Sequence, residues 1–164
     1  MRSLSAQDVL EIWEAGLAQS PVYRSLNMLA HAFPGMTPTE LAQLDISQRD
    51  SCLLDLHEST FGSTIDGFSQ CPQCFERLEF SLKTEELRLS IRSSGDHKGQ
   101  SFELAEGDFR IRYRLPNTLD LIAATQGGID SAAELVMRRC IIELSRGEPP
   151  LSSDELPEKS CQLQ

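Results

Sequence analysis

The sequence predicts an α+β fold: an N-terminal helical lobe, two antiparallel hairpins and C-terminal helices. Three observations carry this. Apolar residues recur at helical spacing through residues 1–62, alternate in stretches between 63 and 116, and return to helical spacing over 117–146, where the helices are expected on the same core.

Ser5 with Asp8 at N3 reads as the start of a first helix near residues 6–19, with Val9, Trp13, Gly16 and Leu17 at helical spacing. Trp13, the single tryptophan, lies on that stripe and is expected in the core. Ser20-Pro21 is a cap-then-proline start, and Val22, Leu26, Leu29 and Phe33 form one stripe before Pro34-Gly35 stops the run. Thr37-Pro38-Thr39-Glu40 has the sequence of a capping box with proline at N1, opening a helix of about two turns that buries Leu41 and Leu44. From Ser47 to Phe61 the pattern is helical through Leu53, Leu54 and Leu56, and Gly62 sits where a C′ glycine belongs.

The period then changes. Leu78, Phe80 and Leu82 alternate with Glu79 and Ser81, a strand with one face on a core, and Cys71-Pro72-Gln73-Cys74 falls where a hairpin would turn into it. In the second hairpin Phe109, Ile111, Tyr113 and Leu115 alternate with Arg110, Arg112 and Arg114, and Gly107-Asp108 suits a two-residue primed turn. That turn pairs Leu104 with Ile111, Phe102 with Tyr113 and Glu103 with Arg112, so apolar meets apolar and acid meets base.

Ser93 to Gln100 has no apolar residue and reads as an exposed loop. Asn117 or Thr118 caps a short helix through Leu119 and Ile122 that Gly127-Gly128 ends; Asp130 then caps a longer one with Met137, Cys140, Ile141 and Leu144 as its stripe. Residues 147–164 carry three prolines, four acids and one lysine, with too little apolar surface to offset ordering entropy, so a flexible acidic tail is expected.

A chain of 164 residues with 40% hydrophobic content suits one compact unit. A formal net charge of -10 repels phosphate polyanions and argues against nucleic acid as a general partner. Five cysteines make an odd count without disulfide-framework spacing, and the N-terminus has no apolar signal-peptide region, which points to a reducing, cytoplasmic setting. No window approaches the roughly 20 apolar residues of a spanning helix, so direct membrane contact is not expected.

Two features carry chemistry. Cys71 and Cys74 can chelate one metal ion, act as a redox dithiol, or be two incidental thiols. A glutaredoxin-like CPxC thiol-disulfide oxidoreductase needs the first cysteine at a helix N-terminus, and here an alternating strand follows. Structural zinc needs four ligands, and Cys52, Cys140, Cys161, His31, His57 and His97 include no second CxxC or CxxH pair. A second protomer, a neighbouring subunit or a downstream segment would have to complete such a site. Cys52 and Cys140 read as small buried hydrophobes.

The row Arg110, Arg112, Arg114 could dock an acidic partner or phosphate, or be the solvated side of a hairpin that Glu103 partly neutralises. His57, flanked by Asp55 and Glu58, reads as structural, because helix neighbours one and two apart point in different directions. There is no GxSxG, phosphate-cradling glycine loop or HExxH, so an enzyme is not expected.

The run Arg49-Asp50-Ser51-Cys52-Leu53-Leu54-Asp55-Leu56-His57-Glu58 to Phe61-Gly62, then Cys71-Pro72-Gln73-Cys74 and Leu78-Glu79, resembles the baseplate protein family of T4-like phages and related contractile tail-like injection systems. The resemblance spans roughly residues 5–146 and includes the hairpin end Arg112 to Pro116 with the helix after it. It implies a noncatalytic structural part or assembly factor working through other baseplate or tail proteins, either as one copy or as a homo-oligomer. It also implies that Cys71 and Cys74 form half of a zinc ribbon in a shortened member or fragment, made in the bacterial cytoplasm and carried into a tail-like particle. Two departures stand out: Phe75 follows the second cysteine where the family often has glycine, and the family's second CxxC is missing. A zinc-binding adaptor domain unrelated to phage tails is the alternative binding reading.

Overall fold

The computed structural model describes residues 1–91, 99–126, 129–146 and 150–151. The architecture is α+β: among the described residues, seven helices accompany a two-stranded and a four-stranded antiparallel sheet. The chain divides into two compact units, Met1–Asp96 and His97–Gln164, so the two hairpins fall in different units and the C-terminal helices share a unit with the second hairpin alone.

In the first unit, α1 (Ala6–Gly16) starts where Ser5 and Asp8 predict, each side chain accepting from the other's backbone N–H, at 2.8 and 3.2 Å. Arg2 adds a two-pronged guanidinium clasp on the Asp8 carboxylate, both prongs at 2.7 Å. That clasp, with the Ser5 hydroxyl and N–H, holds the Asp8 carboxyl well below the usual carboxylate range. α2 (Pro21–Ala32) follows, then α3 (Pro38–Gln43) with its expected capping box at Thr37 and Glu40. α4 (Ile46–Phe61) starts slightly earlier than its apolar pattern, because Asp45 and Gln48 form a further capping box. Gly62 ends it at φ 97°, a conformation that favours glycine.

The core of this unit is Ile12, Leu29, Ala32, Leu41 and Leu56, and each large aliphatic contributes roughly 2 kcal/mol of transfer free energy. Trp13 is not part of it. Its side chain is 62% exposed, because α1 turns Ile12 and Gly16 inward, which places Trp13 and Leu17 outside. Strands β1 (Thr64–Gln70) and β2 (Arg77–Lys83) form the first hairpin, in register from Thr64 with Lys83 to Gln70 with Arg77. α5 (Thr84–Ile91), which the sequence pattern does not announce, continues directly from β2. Thr84 is buried at its start, its N–H on the Ser63 carbonyl, and Arg88 reaches back to Asp55 and Glu58 of α4.

In the second unit, β3 (Phe102–Glu106) and β4 (Phe109–Tyr113) form the predicted hairpin in the predicted register, turning at Gly107, φ 58°. α6 (Thr118–Gln126) is capped by Asn117, and α7 (Ile129–Cys140) begins one residue before Asp130, the expected cap. The last helix does not run on through Leu144. It stops at Cys140, and β5 (Ile141–Arg146) turns back along β4, giving sheet order β3-β4-β5-β6 with β6 (Pro150–Leu151) at the edge. The reason is tertiary: β4 has one ladder edge left, and pairing Ile111 with Leu144 and Arg112 with Glu143 satisfies it. The Arg114 N–H to Cys140 carbonyl bond, 2.9 Å, extends that ladder. β6 also orders two residues of the expected flexible tail. The rest of that tail, residues 93–98 of the expected Ser93–Gln100 loop, Gly127-Gly128 and Cys161 lie outside the described residues.

Candidate functional site

The first hairpin carries the dithiol at its tip. The Cys71 N–H donates to the Glu76 carbonyl and the Phe75 N–H to the Cys71 carbonyl, both at 2.9 Å. Phe75 closes this turn at φ 60°, a left-handed conformation unusual for a bulky residue. The backbone N–H groups of Cys74 and Gln73, and the Cys74 thiol, hydrogen-bond to the Cys71 sulfur and hold its thiol below the ordinary range. Cys71 is half-buried and Cys74 exposed.

Two thiols on one turn suit a thiophilic ion such as zinc, but they supply two of the four donors required. Among the described residues no group of three or more His, Cys, Asp or Glu gathers to hold a metal. The donor set of one chain, over those residues, does not fit a closed structural zinc site. Cys52 is half-buried in α4, and its burial, with Asp55 nearby, pushes the thiol up; Cys140, buried in the second unit, is likewise pushed up by burial and Asp120.

Register puts Ile65, Leu78, Phe80 and Leu82 on one face of the hairpin, with the Phe80 ring lying over Gly67 where a Cβ would collide. This face is not a simple core-facing side. Ile65 and Leu82 at its base are half-buried, but towards the tip Phe80 is 43% and Leu78 53% exposed, and Phe75 at the tip is 71% exposed. On the other face the Arg77 guanidinium sits 4.3 Å from the Phe68 ring centroid.

A second exposed apolar surface lies on α1. Leu10, Trp13 and Leu17 share one face at helical spacing, all exposed, beside the exposed acids Glu11 and Glu14. The sequence signal was present but ambiguous, because Val9, Ile12 and Gly16 form a second stripe on the same helix, and that one is turned inward.

The arginine row divides. Arg110 is exposed. Arg112 is bound at 2.8 and 3.1 Å by Glu143 across the sheet, rather than by Glu103 opposite it in the hairpin. Arg114 lies beyond the end of β4 and grips Asp120, its Nη1 donating to Oδ2 at 2.6 Å. Burial alone would push the Asp120 carboxyl up. Hydrogen bonds from Arg114, the Asn117 N–H and Arg139 overcome that and hold it at about 2. Arg114 is therefore spent on the fold. His57 is also structural, with Nδ1 3.1 Å from the Gly62 carbonyl oxygen and its ring tilted against Phe61. No helix among the described residues is long and apolar enough to cross a membrane.

A family model described as T4 bacteriophage base plate protein matches residues 26–162 of the chain. No curated protein and no solved structure matches it.

Proposed function

The chain belongs to the T4 bacteriophage base plate protein family, and from that premise we propose that it is a structural part or assembly factor of a contractile-tail base plate, working by protein contacts rather than turnover. The single observation that carries this is the family match over residues 26–162. The chain is made in the bacterial cytoplasm and assembles there with other base plate or tail proteins.

The α1 face fits the role. A tryptophan flanked by two leucines, rimmed by Glu11 and Glu14, is the composition of an interface anchor, and its acidic rim selects an apolar groove with a basic border on a neighbouring base plate protein. Arg110 offers a separate point for an acidic neighbour, with Arg112 and Arg114 already engaged.

The lowered Cys71 thiol favours a second reading, dithiol redox chemistry. Against it, β2 follows the CPQC turn, so the helix N-terminus that drives such catalysts is not there.

The test is capture with the tagged full-length chain from a tail-producing lysate, read by mass spectrometry. Recovery of tube, sheath or base plate subunits, lost on Trp13→Ala, supports the reading. Capture of none of these contradicts it, as does a reversible two-electron couple at Cys71 and Cys74 in the oxidoreductase range.

A further inference from the structure

We infer that the open edge of β3 takes up an extended segment of a partner protein as a fifth strand, one in which cationic and apolar residues alternate. The inference goes beyond the base plate reading and does not rest on it.

Register shows which backbone groups are open. The two-residue turn at Gly107-Asp108 makes Glu106 and Phe109 a bonded pair, and bonded pairs then alternate along the hairpin. Phe102, Leu104 and Glu106 therefore spend their N–H and C=O groups on β4, while Glu103 and Ala105 turn theirs outward. The far side of β4 agrees with this phase. The Arg114 N–H, two positions on from Arg112, bonds away from β3, to the Cys140 carbonyl. Among the described residues β3 ends the sheet, so no strand pairs with the outward groups.

The two edges of this sheet are built differently. β6 is two residues long and begins with Pro150, which has no N–H to offer, and both traits close an edge to further pairing. β3 has five residues in unbroken register, with no proline, lysine or bulge. A bare edge of that length is a template for another strand.

Side chains choose the strand. Arg112 faces Glu103 in the register but binds Glu143 instead, which leaves the exposed Glu103 carboxylate without a cation among the described residues. A cation opposite Glu103 on the incoming strand supplies it. On the other face Leu104 is 48% exposed, and an apolar residue opposite it covers that surface. A second copy of β3 does not meet these needs, because its charged residues are Glu103 and Glu106 and it would set acid against acid.

The experiment takes the isotope-labelled full-length chain and, as probe, a short end-blocked peptide alternating arginine and valine, with a glutamate and valine counterpart as control. Binding of the arginine peptide should slow amide exchange at Glu103 and Ala105 and leave Leu104, already bonded to β4, unchanged. Ala105→Pro removes an outward N–H without touching the β3–β4 ladder, so it should abolish binding while the far-ultraviolet circular dichroism stays the same. Glu103→Lys should weaken the arginine peptide about tenfold and favour the glutamate one. That variant decides the matter should the proline variant fail to fold.

Equal binding of both peptides, undiminished binding to folded Ala105→Pro or to Glu103→Lys, protection confined to residues outside β3, or a self-paired dimer with Glu103 and Ala105 already protected overturns the inference. A chain that captures base plate subunits but takes up no peptide would refute the open edge and leave the base plate reading standing. A chain that binds the peptide at β3 and captures none would do the reverse.

Discussion

Arg114 and Asp120 form a fork, Nη1 to Oδ2 at 2.6 Å and Nη2 to Oδ1 at 3.0 Å, with the carboxylate wholly withdrawn from solvent. Arg139 Nε, at 2.9 Å, and the Asn117 N–H, also at 2.9 Å, donate to it as well, and the Cys140 thiol lies 3.9 Å from Oδ2. One acid thereby ties the start of α6 to the end of β4 and the last turn of α7. Charge-assisted bonds in so dry a place are strong, and removing one partner strands the others.

Asp120→Ala should therefore cost about 3 kcal/mol in urea unfolding, more than removal of any one of its partly exposed guanidinium partners. A loss below about 0.5 kcal/mol would mean the cluster is ornamental.

The same acid sets a pH dependence. Its carboxyl is held at about 2 in the folded chain, below its ordinary value, so the stability it supplies is complete above about pH 4 and drains as the pH falls towards 2. Over that window the natural chain should lose about 2 kcal/mol more than Asp120→Asn. Parallel acid titrations of the two would contradict this assignment.

Arg88 fastens α5 to α4 through Asp55 and through Glu58, the latter at 2.8 Å. Both acids are partly open to water, so Arg88→Ala should cost only about 1 kcal/mol. Its local signature is sharper: amide hydrogen exchange should quicken in Thr84–Ile91 and stay unchanged in α2. Unchanged exchange in α5 would show that Thr84 alone holds it.

Phe75 occupies a conformation that costs a bulky residue roughly 1 kcal/mol relative to glycine. Phe75→Gly should raise the thermal midpoint of the metal-free chain, whereas Phe75→Ala, which keeps a Cβ, should not. Equal shifts for both would place the effect in the lost ring instead.

The exposed Trp13 makes a spectroscopic prediction. Its fluorescence should be that of a solvated indole, shift to the blue when a base plate partner docks, and disappear in Trp13→Ala with stability altered by less than about 0.5 kcal/mol. Emission already blue in the free chain would contradict an open α1 face.

What the sequence revealed and concealed divides along physical lines. Capping boxes at Ser5 and Thr37, the Gly62 stop and the Gly107 turn were legible because each depends on residues within a few positions. The fate of Ile141 to Leu144 was not, since their spacing serves helix or strand, and the open edge of β4 decided between them. The exposure of Trp13 is not legible in the sequence, because α1 is apolar on two faces and only packing shows which turns inward. In the candidate sites, the thiol pair and its shortfall of ligands could be read directly, whereas Arg114 looked free until Asp120, six residues on, came back to meet it.

The central claim is that this chain works by being held among base plate proteins. Its most direct measurement is quantitative mass spectrometry of assembling base plates purified from cells expressing the tagged chain or its Trp13→Ala variant. The account predicts the chain at fixed stoichiometry with base plate subunits and at least a tenfold loss for the variant, the effect of about 1.4 kcal/mol at an interface anchor. Base plates and their intermediates that contain none of the tagged chain would contradict it.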